Sequence, residues 1–280
     1  MKRAASPGPE AAGSIGVFDS GVGGLSVWRE IVRQLPHEDT LYYADQAHVP
    51  YGPRSQEEIR GFSHDIAEFL VSRGSKAIVV ACNTASAAAL KSLRETFTQL
   101  PVIGMEPAVK PAAAMTRSGV VGILATPATF QGRLFQATAG RYASGIELVR
   151  QVCDGLAERV ERGELDGPET EAELRGFLQP IIAAGADTVV LACTHYPFVI
   201  EPIRRIVGPQ VSVIDPAPAI ARHLGDVLDA QGLAAHRGRT GRHAFFTSGE
   251  IDPFRQALTH LTGVHGTVHR RDPAHRLLAR

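Results

Sequence analysis

Two cysteines carry the strongest chemical signal in this 280-residue chain. Cys82 lies in ACNTAS (81–86) and Cys193 in ACTHYP (192–197). Each ends a short apolar run and is followed at once by polar residues, Asn83–Thr84 in one case and Thr194–His195 in the other. A thiol at the mouth of a helix N-terminus becomes more acidic, and the nearby N–H groups can hold a carboxylate. Two equivalent thiols facing each other through a ligand could invert a stereocentre. One removes a proton from carbon and the other returns one to the opposite face. Asp19, in FDSGVGG (18–24), and His195 are the natural proton-handling partners of such a pair.

Other chemistries fit less well. The third thiol, Cys153 in LVRQVCDGL, shares none of this context and reads as a small buried hydrophobe. Spacings of 71 and 40 residues match neither a disulfide framework nor paired zinc ligands. Cys193 and His195 could form half of a metal site, but no further ligands stand out, so no metal is expected. The glycines after Asp19 do not complete a dinucleotide fingerprint, because Ser26 occupies the third glycine position. The four lysines, Lys2, Lys76, Lys91 and Lys110, sit in a tail, a turn, a polar helix face and a Pro-rich link. None suits a Schiff base, so proton abstraction here would proceed without pyridoxal.

The elements that must position these residues alternate along the chain. IGVF (15–18), TLYYAD (40–45), KAIVVA (76–81) and PVIGM (101–105) read as strands with helices between them. Ser55 with Glu58 three residues on marks a capped helix start. After residue 118 the pattern restarts with GVVGIL (119–124), a helix over 129–140, a helix around Leu174–Ile182, TVVLA (188–192) and VSVID (211–215). RGSKAIVVACNT (73–84) and AGADTVVLACTH (184–195) superpose at an offset of 111 residues, as an internal duplication would. Helix is expected at 219–229 and a strand at 243–248.

The expected fold is therefore α/β, with two pseudo-symmetric units, each a parallel sheet flanked by helices, and the site in the cleft between them. Residues 1–14 read as a flexible tail, 15–108 with 222–280 as the first unit, and 109–221 as the second. The basic C-terminal stretch HGTVHRRDPAHRLLAR reads as solvated surface.

Composition agrees with a globular enzyme: 44% hydrophobic and 21% charged residues. Lys plus Arg and Asp plus Glu both number 29, giving zero formal net charge, so neither nucleic acid nor an anionic membrane is an expected partner. The N-terminal stretch has no apolar signal core, and the expected location is cytoplasmic.

At these residues the chain resembles the glutamate racemases of the aspartate/glutamate racemase superfamily. The resemblance is carried by GVFDSGVGGLSV (16–27), YYADQAHVPYGPRS (42–55), ACNTASAAAL (81–90), PVIGMEPA (101–108) and ACTHYPFV (192–199), in family order. It implies cofactor-independent interconversion of L- and D-glutamate, supplying D-glutamate for peptidoglycan. It also implies that Cys82 and Cys193 are the catalytic thiols, the first acting on the D- and the second on the L-enantiomer. Asp19, His195 and Glu161 would assist them. Asp19–Ser20, Tyr51–Gly52, Asn83–Thr84, Thr126 and Thr194–His195 would contact substrate. The chain departs from the family pattern at Asp154, which stands where a proline is usual after the cysteine. The expected partner is a small-molecule substrate, glutamate, with a homodimer as the candidate assembly. Two alternatives stand beside this one: a racemase for aspartate or another acidic compound, and a non-catalytic two-lobed ligand-binding module.

Overall fold

The computed structural model describes residues 13–271. The first half lays down strands β1 (Ser14–Asp19), β2 (Thr40–Ala44), β3 (Ser75–Val80) and β4 (Val102–Gly104). Helices α1 (Leu25–Gln34), α2 (Gln56–Ser72) and α3 (Asn83–Thr96) alternate with them. Helix α4 (Val109–Met115) leads to β5 (Val120–Ala125), α5 (Pro127–Gln131), α6 (Arg133–Tyr142) and β6 (Glu147–Val152). Then come α7 (Leu156–Glu161), α8 (Pro168–Ala183), β7 (Thr188–Ala192), α9 (Ile200–Val207) and β8 (Ser212–Ile214). The chain closes with α10 (Ala217–Ala230), β9 (His243–Thr247), α11 (Ile251–Thr262) and β10 (Val268–Arg270).

The strands form two sheets, ordered β10-β9-β2-β1-β3-β4 and β6-β5-β7-β8. Every pairing within them is parallel. The order β2-β1-β3-β4 recurs as β6-β5-β7-β8. The sequence duplication is therefore a duplication of topology, in which β3 and β7 are equivalent strands. Both are buried almost throughout, as expected of a parallel strand covered by helices on both faces. Each sheet has apolar clusters on its two sides. Trp28, Tyr42, Phe245 and Phe254 fill one side of the first sheet, and Ile59, Ile66, Leu70 and Leu93 the other.

Local signals explain most element boundaries. Ser55 caps α2 through its side chain, and Glu58 returns a bond to the Ser55 N–H. Ser55→Ala is expected to lower the Tm by about 2 °C, as one lost cap does in a chain of this size. An unchanged Tm in thermal unfolding would assign the stability of α2 to packing alone.

Several expectations need correction. The helix expected over 129–140 is broken at Gly132, whose backbone is extended. A Cβ there would lie 2.6 Å from the Cβ of Ala87 on α3, so Gly132 permits close approach of the two halves. Lys110 lies in the first turn of α4 rather than in a link. In the C-terminal stretch, Val268–Arg270 pairs with β9 as an edge strand, with Val268 buried. Residues 272–280 lie outside the described residues. So do residues 1–12 of the expected tail, whereas Ser14 already begins β1. Among the described residues no helix is long and apolar enough to cross a membrane.

Candidate active site

Parallel strands deliver their following residues to one edge, and here both sheets deliver them to one cavity. Ser20 follows β1, Cys82 to Thr84 follow β3, Thr126 follows β5 and Cys193 to His195 follow β7. All of them line a cavity of about 390 Å³, with Val49 to Pro53, Pro127 and the 153–158 segment closing it. That volume suits a small molecule. The cavity holds both thiols, and both are largely buried.

The Cys82 sulfur caps α3, accepting from the Ala85 N–H at 3.4 Å, and lies 3.9 Å from the Ser20 hydroxyl. Burial pushes this thiol well above its ordinary range, and the Asp19 carboxylate adds to the shift. Ligand-free Cys82 is thus a protonated thiol, in the proper state to donate.

Cys193 stands in different surroundings. Its sulfur lies 3.7 Å from Nδ1 of His195, and Nε2 of the same ring is 2.8 Å from Oε1 of Glu161. Burial opposes charge on His195. Its bonds to Cys193 and Glu161 overcome that and hold it well above the usual imidazole range. Burial likewise opposes charge on Glu161, and His195 and the Val22 N–H overcome it, so its carboxyl stays below the usual range. The pair places a positive charge beside the Cys193 sulfur, where negative charge develops when that sulfur loses a proton.

Glycines make this arrangement possible. A Cβ on Gly21 would lie 2.0 Å from Oε1 of Glu161, and one on Gly23 would lie 2.4 Å from Nδ1 of His195. The DSGVGG turn therefore serves close approach of two side chains from the other half, rather than a dinucleotide phosphate. Val22 N–H donates to Glu161 at 2.8 Å within the same turn.

Asp19 and Glu161 do not line the cavity. Asp19 is fully buried behind it, accepting from the Gly21 N–H at 3.0 Å and the Thr194 hydroxyl at 3.3 Å. Burial raises its carboxyl above the ordinary range, against the opposing pull of His195. The Tyr51 hydroxyl is also committed, donating to Asp45 Oδ2 at 2.6 Å, so its ring forms wall. Thr84 and Thr126 hydroxyls meet at 3.1 Å across the cleft. Asn83 is 4% exposed, and both polar atoms of its amide are buried without a partner among the described residues. In a cavity wall, that amide is ready to bind a ligand.

Sequence reasoning missed three features of the site. Asp45 follows β2 and binds Tyr51, His48 and Ser248, fixing the loop that forms one wall. Its position at the C-terminal end of the expected strand 40–45 was the available signal. Cys153, expected to be structural only, also lines the cavity, because β6 ends one residue before it. Two acidic residues, Asp154 and Glu158, belong to the same wall. Among the described residues no group of three or more His, Cys, Asp or Glu converges as metal ligands.

Comparisons with known proteins agree with this arrangement. The sequence profile of the Asp/Glu/hydantoin racemase family matches residues 15–224. The glutamate racemase of Roseiflexus sp. (strain RS-1) is 47% identical over 253 residues, covering 90% of this chain and 93% of the relative. That of Pseudomonas aeruginosa PAO1 is 49% identical over 250 residues, covering 89% and 94%. Among solved structures, glutamate racemase isoform RacE1 from Bacillus anthracis superposes with a TM-score of 0.86 at 36% identity, covering 92% of this chain and 97% of its own. Glutamate racemase from Francisella tularensis, solved with D-glutamate, gives 0.82 at 29% identity, covering 94% and 98%. With its paired thiols in one cavity, a family profile over residues 15–224 and relatives matched over about nine-tenths of its length, the chain belongs to the Asp/Glu racemase family, among the glutamate racemases.

Proposed function

We infer that the protein interconverts L- and D-glutamate without a cofactor, supplying D-glutamate for peptidoglycan. The observation that carries this reading is the pair Cys82 and Cys193, which follow equivalent strands of two duplicated sheets and line one cavity. The units 15–108 with 222–280 and 109–221 each contribute one thiol.

In this reading, substrate carboxylates are bound by Asn83, Thr84, Thr126 and Thr194, together with Ser20 and the Gly52 backbone. The Cys193 thiolate takes the α-proton of L-glutamate. The Cα–H bond breaks, and its electron pair stays on Cα, delocalised into the carboxylate. The Cys82 thiol then donates its proton to the opposite face. Bond order and charge balance, and the two sulfurs exchange protonation states. The reverse reaction starts from the Cys82 thiolate and D-glutamate. His195, held by Glu161, stabilises charge at Cys193, and Asp19 holds Thr194 and the glycine turn in place.

Purified protein with L-glutamate in D₂O and no added cofactor is expected to lose optical activity while gaining deuterium at Cα. Retained optical activity with no deuterium at Cα would overturn the reading. The same assay with aspartate separates the runner-up substrate, which lacks one methylene. Ligand binding with no α-exchange on either acid would favour the binding-module alternative instead.

A further inference from the structure

The cavity wall contains an electrostatic feature that the two-thiol chemistry does not use. Among the described residues that line it, none is Lys or Arg, although the proposed substrate carries two carboxylates. Two further carboxylates, Asp154 and Glu158, stand on the side formed by the end of β6 and the start of α7. Asp154 is exposed and Glu158 half-buried. Neither has a hydrogen bond or ion pair through its side chain among the described residues. The adjacent cations of α7 are engaged elsewhere: Arg159 with Glu164 and Glu173, and Arg162 with Glu164. On the opposite wall, the buried and unpartnered Asn83 amide is ready for a carboxylate.

We propose that Asp154 and Glu158 act as a charge filter at the cavity mouth, admitting dicarboxylates that carry an α-ammonium and rejecting those that lack one. The proposal rests on the glutamate reading above. Glutamate enters with a net charge of −1 and offers an ammonium to this wall. A dicarboxylate of the same length without the ammonium enters with −2 and meets only repulsion. Fixed charges beside a low-dielectric cleft act strongly on an incoming ion, and added salt weakens them. Selection comes from a built-in repulsion, since the carboxylate-binding wall alone would hold both ligand classes alike.

The test compares glutarate with glutamate in the wild type and in the double variant Asp154→Asn, Glu158→Gln. Glutarate binding is followed by calorimetry and glutamate KM by turnover. At low ionic strength the glutarate Kd is expected to fall about tenfold in the double variant, from two nearby charges acting on a dianion. The glutamate KM is expected to change less than threefold, because lost attraction for the ammonium offsets lost repulsion of the carboxylates. The difference should shrink at 0.5 M salt. Asp252→Asn, at the exposed start of α11 and not among the residues lining the cavity, removes a charge without altering the glutarate-to-glutamate ratio. Equal shifts for both ligands, no shift, or no glutarate binding in any form would overturn the proposal. Wild-type protein that fails to turn over glutamate would instead refute the reading beneath it, and calorimetric titration of both glutamate and glutarate would still measure the filter.

Discussion

Cys82→Ala and Cys193→Ala are each expected to lower the rate of glutamate racemisation by about 10⁴-fold, at the upper end of what one acid–base group supplies. Inversion needs both faces of Cα, so neither thiol can cover for the other. What remains in each variant distinguishes loss of chemistry from loss of fold. Cys82→Ala leaves Cys193 beside His195, so L-glutamate should slowly gain solvent deuterium at Cα without inversion. Cys193→Ala leaves Cys82 facing D-glutamate, and any exchange should then be confined to that enantiomer. This exchange is expected to be the slower of the two, since Cys82 lies among groups that favour its protonated form. Optical rotation and mass spectrometry in D₂O read both quantities. Racemisation retained by either variant would overturn the two-thiol mechanism. Both sites are small and buried; Cys82→Ala also removes the sulfur that accepts from the Ala85 N–H at the start of α3, so the retained exchange on L-glutamate is the readout that separates lost chemistry from lost fold.

The repeated Gly, apolar run and Ala-Cys were enough to read the architecture, because a buried parallel strand has a nearly continuous apolar signature. Thr188–Ala192 shows this most directly, with burial throughout and bounds that agree with the expectation. Edge elements were less legible. Glu147–Val152 is a strand with no fully buried residue, so its composition carries little of that signature. Val268–Arg270 is a three-residue edge strand inside a basic stretch, and only its pairing with β9 reveals it. The break at Gly132 depends on Ala87 in the other half, a contact that local sequence does not encode.

The site divides in the same way. Residues directly after β1, β3 and β7 could be placed by motif and strand position. Glu161 could be suggested only through the family resemblance, since six exposed or half-buried charged residues crowd the 158–166 stretch. The structure distinguishes it through contacts with residues 34 and 139 positions away, His195 and Val22. Similarly, the role of the glycine turn was ambiguous until the side chains packed against it were known. Gly21 and Gly23 are needed because carboxylate and imidazole occupy the space a Cβ would take.

Because Glu161 bears on only one of the two thiols, its replacement should divide the reaction in a way that general damage would not. Glu161→Gln keeps the size of the side chain and an acceptor for the Val22 N–H, but removes the charge that supports His195. The expected loss in kcat/KM is about 10²-fold, at the lower end of an acid–base contribution. The equilibrium constant between enantiomers is one, so kcat/KM must fall equally in both directions. The step that slows is nevertheless the proton transfer at Cys193. From α-deuterated L-glutamate, that transfer moves the substrate deuteron, so the isotope effect on kcat/KM should rise above the wild-type value. From α-deuterated D-glutamate the deuteron leaves at Cys82, a step no longer limiting, and the isotope effect should fall. Asn83, Thr84 and Tyr51 have no bond to Glu161, so their contacts with substrate should persist. Equal isotope effects from the two enantiomers would show that Glu161 merely supports the fold, and would separate it from the chemistry at Cys193.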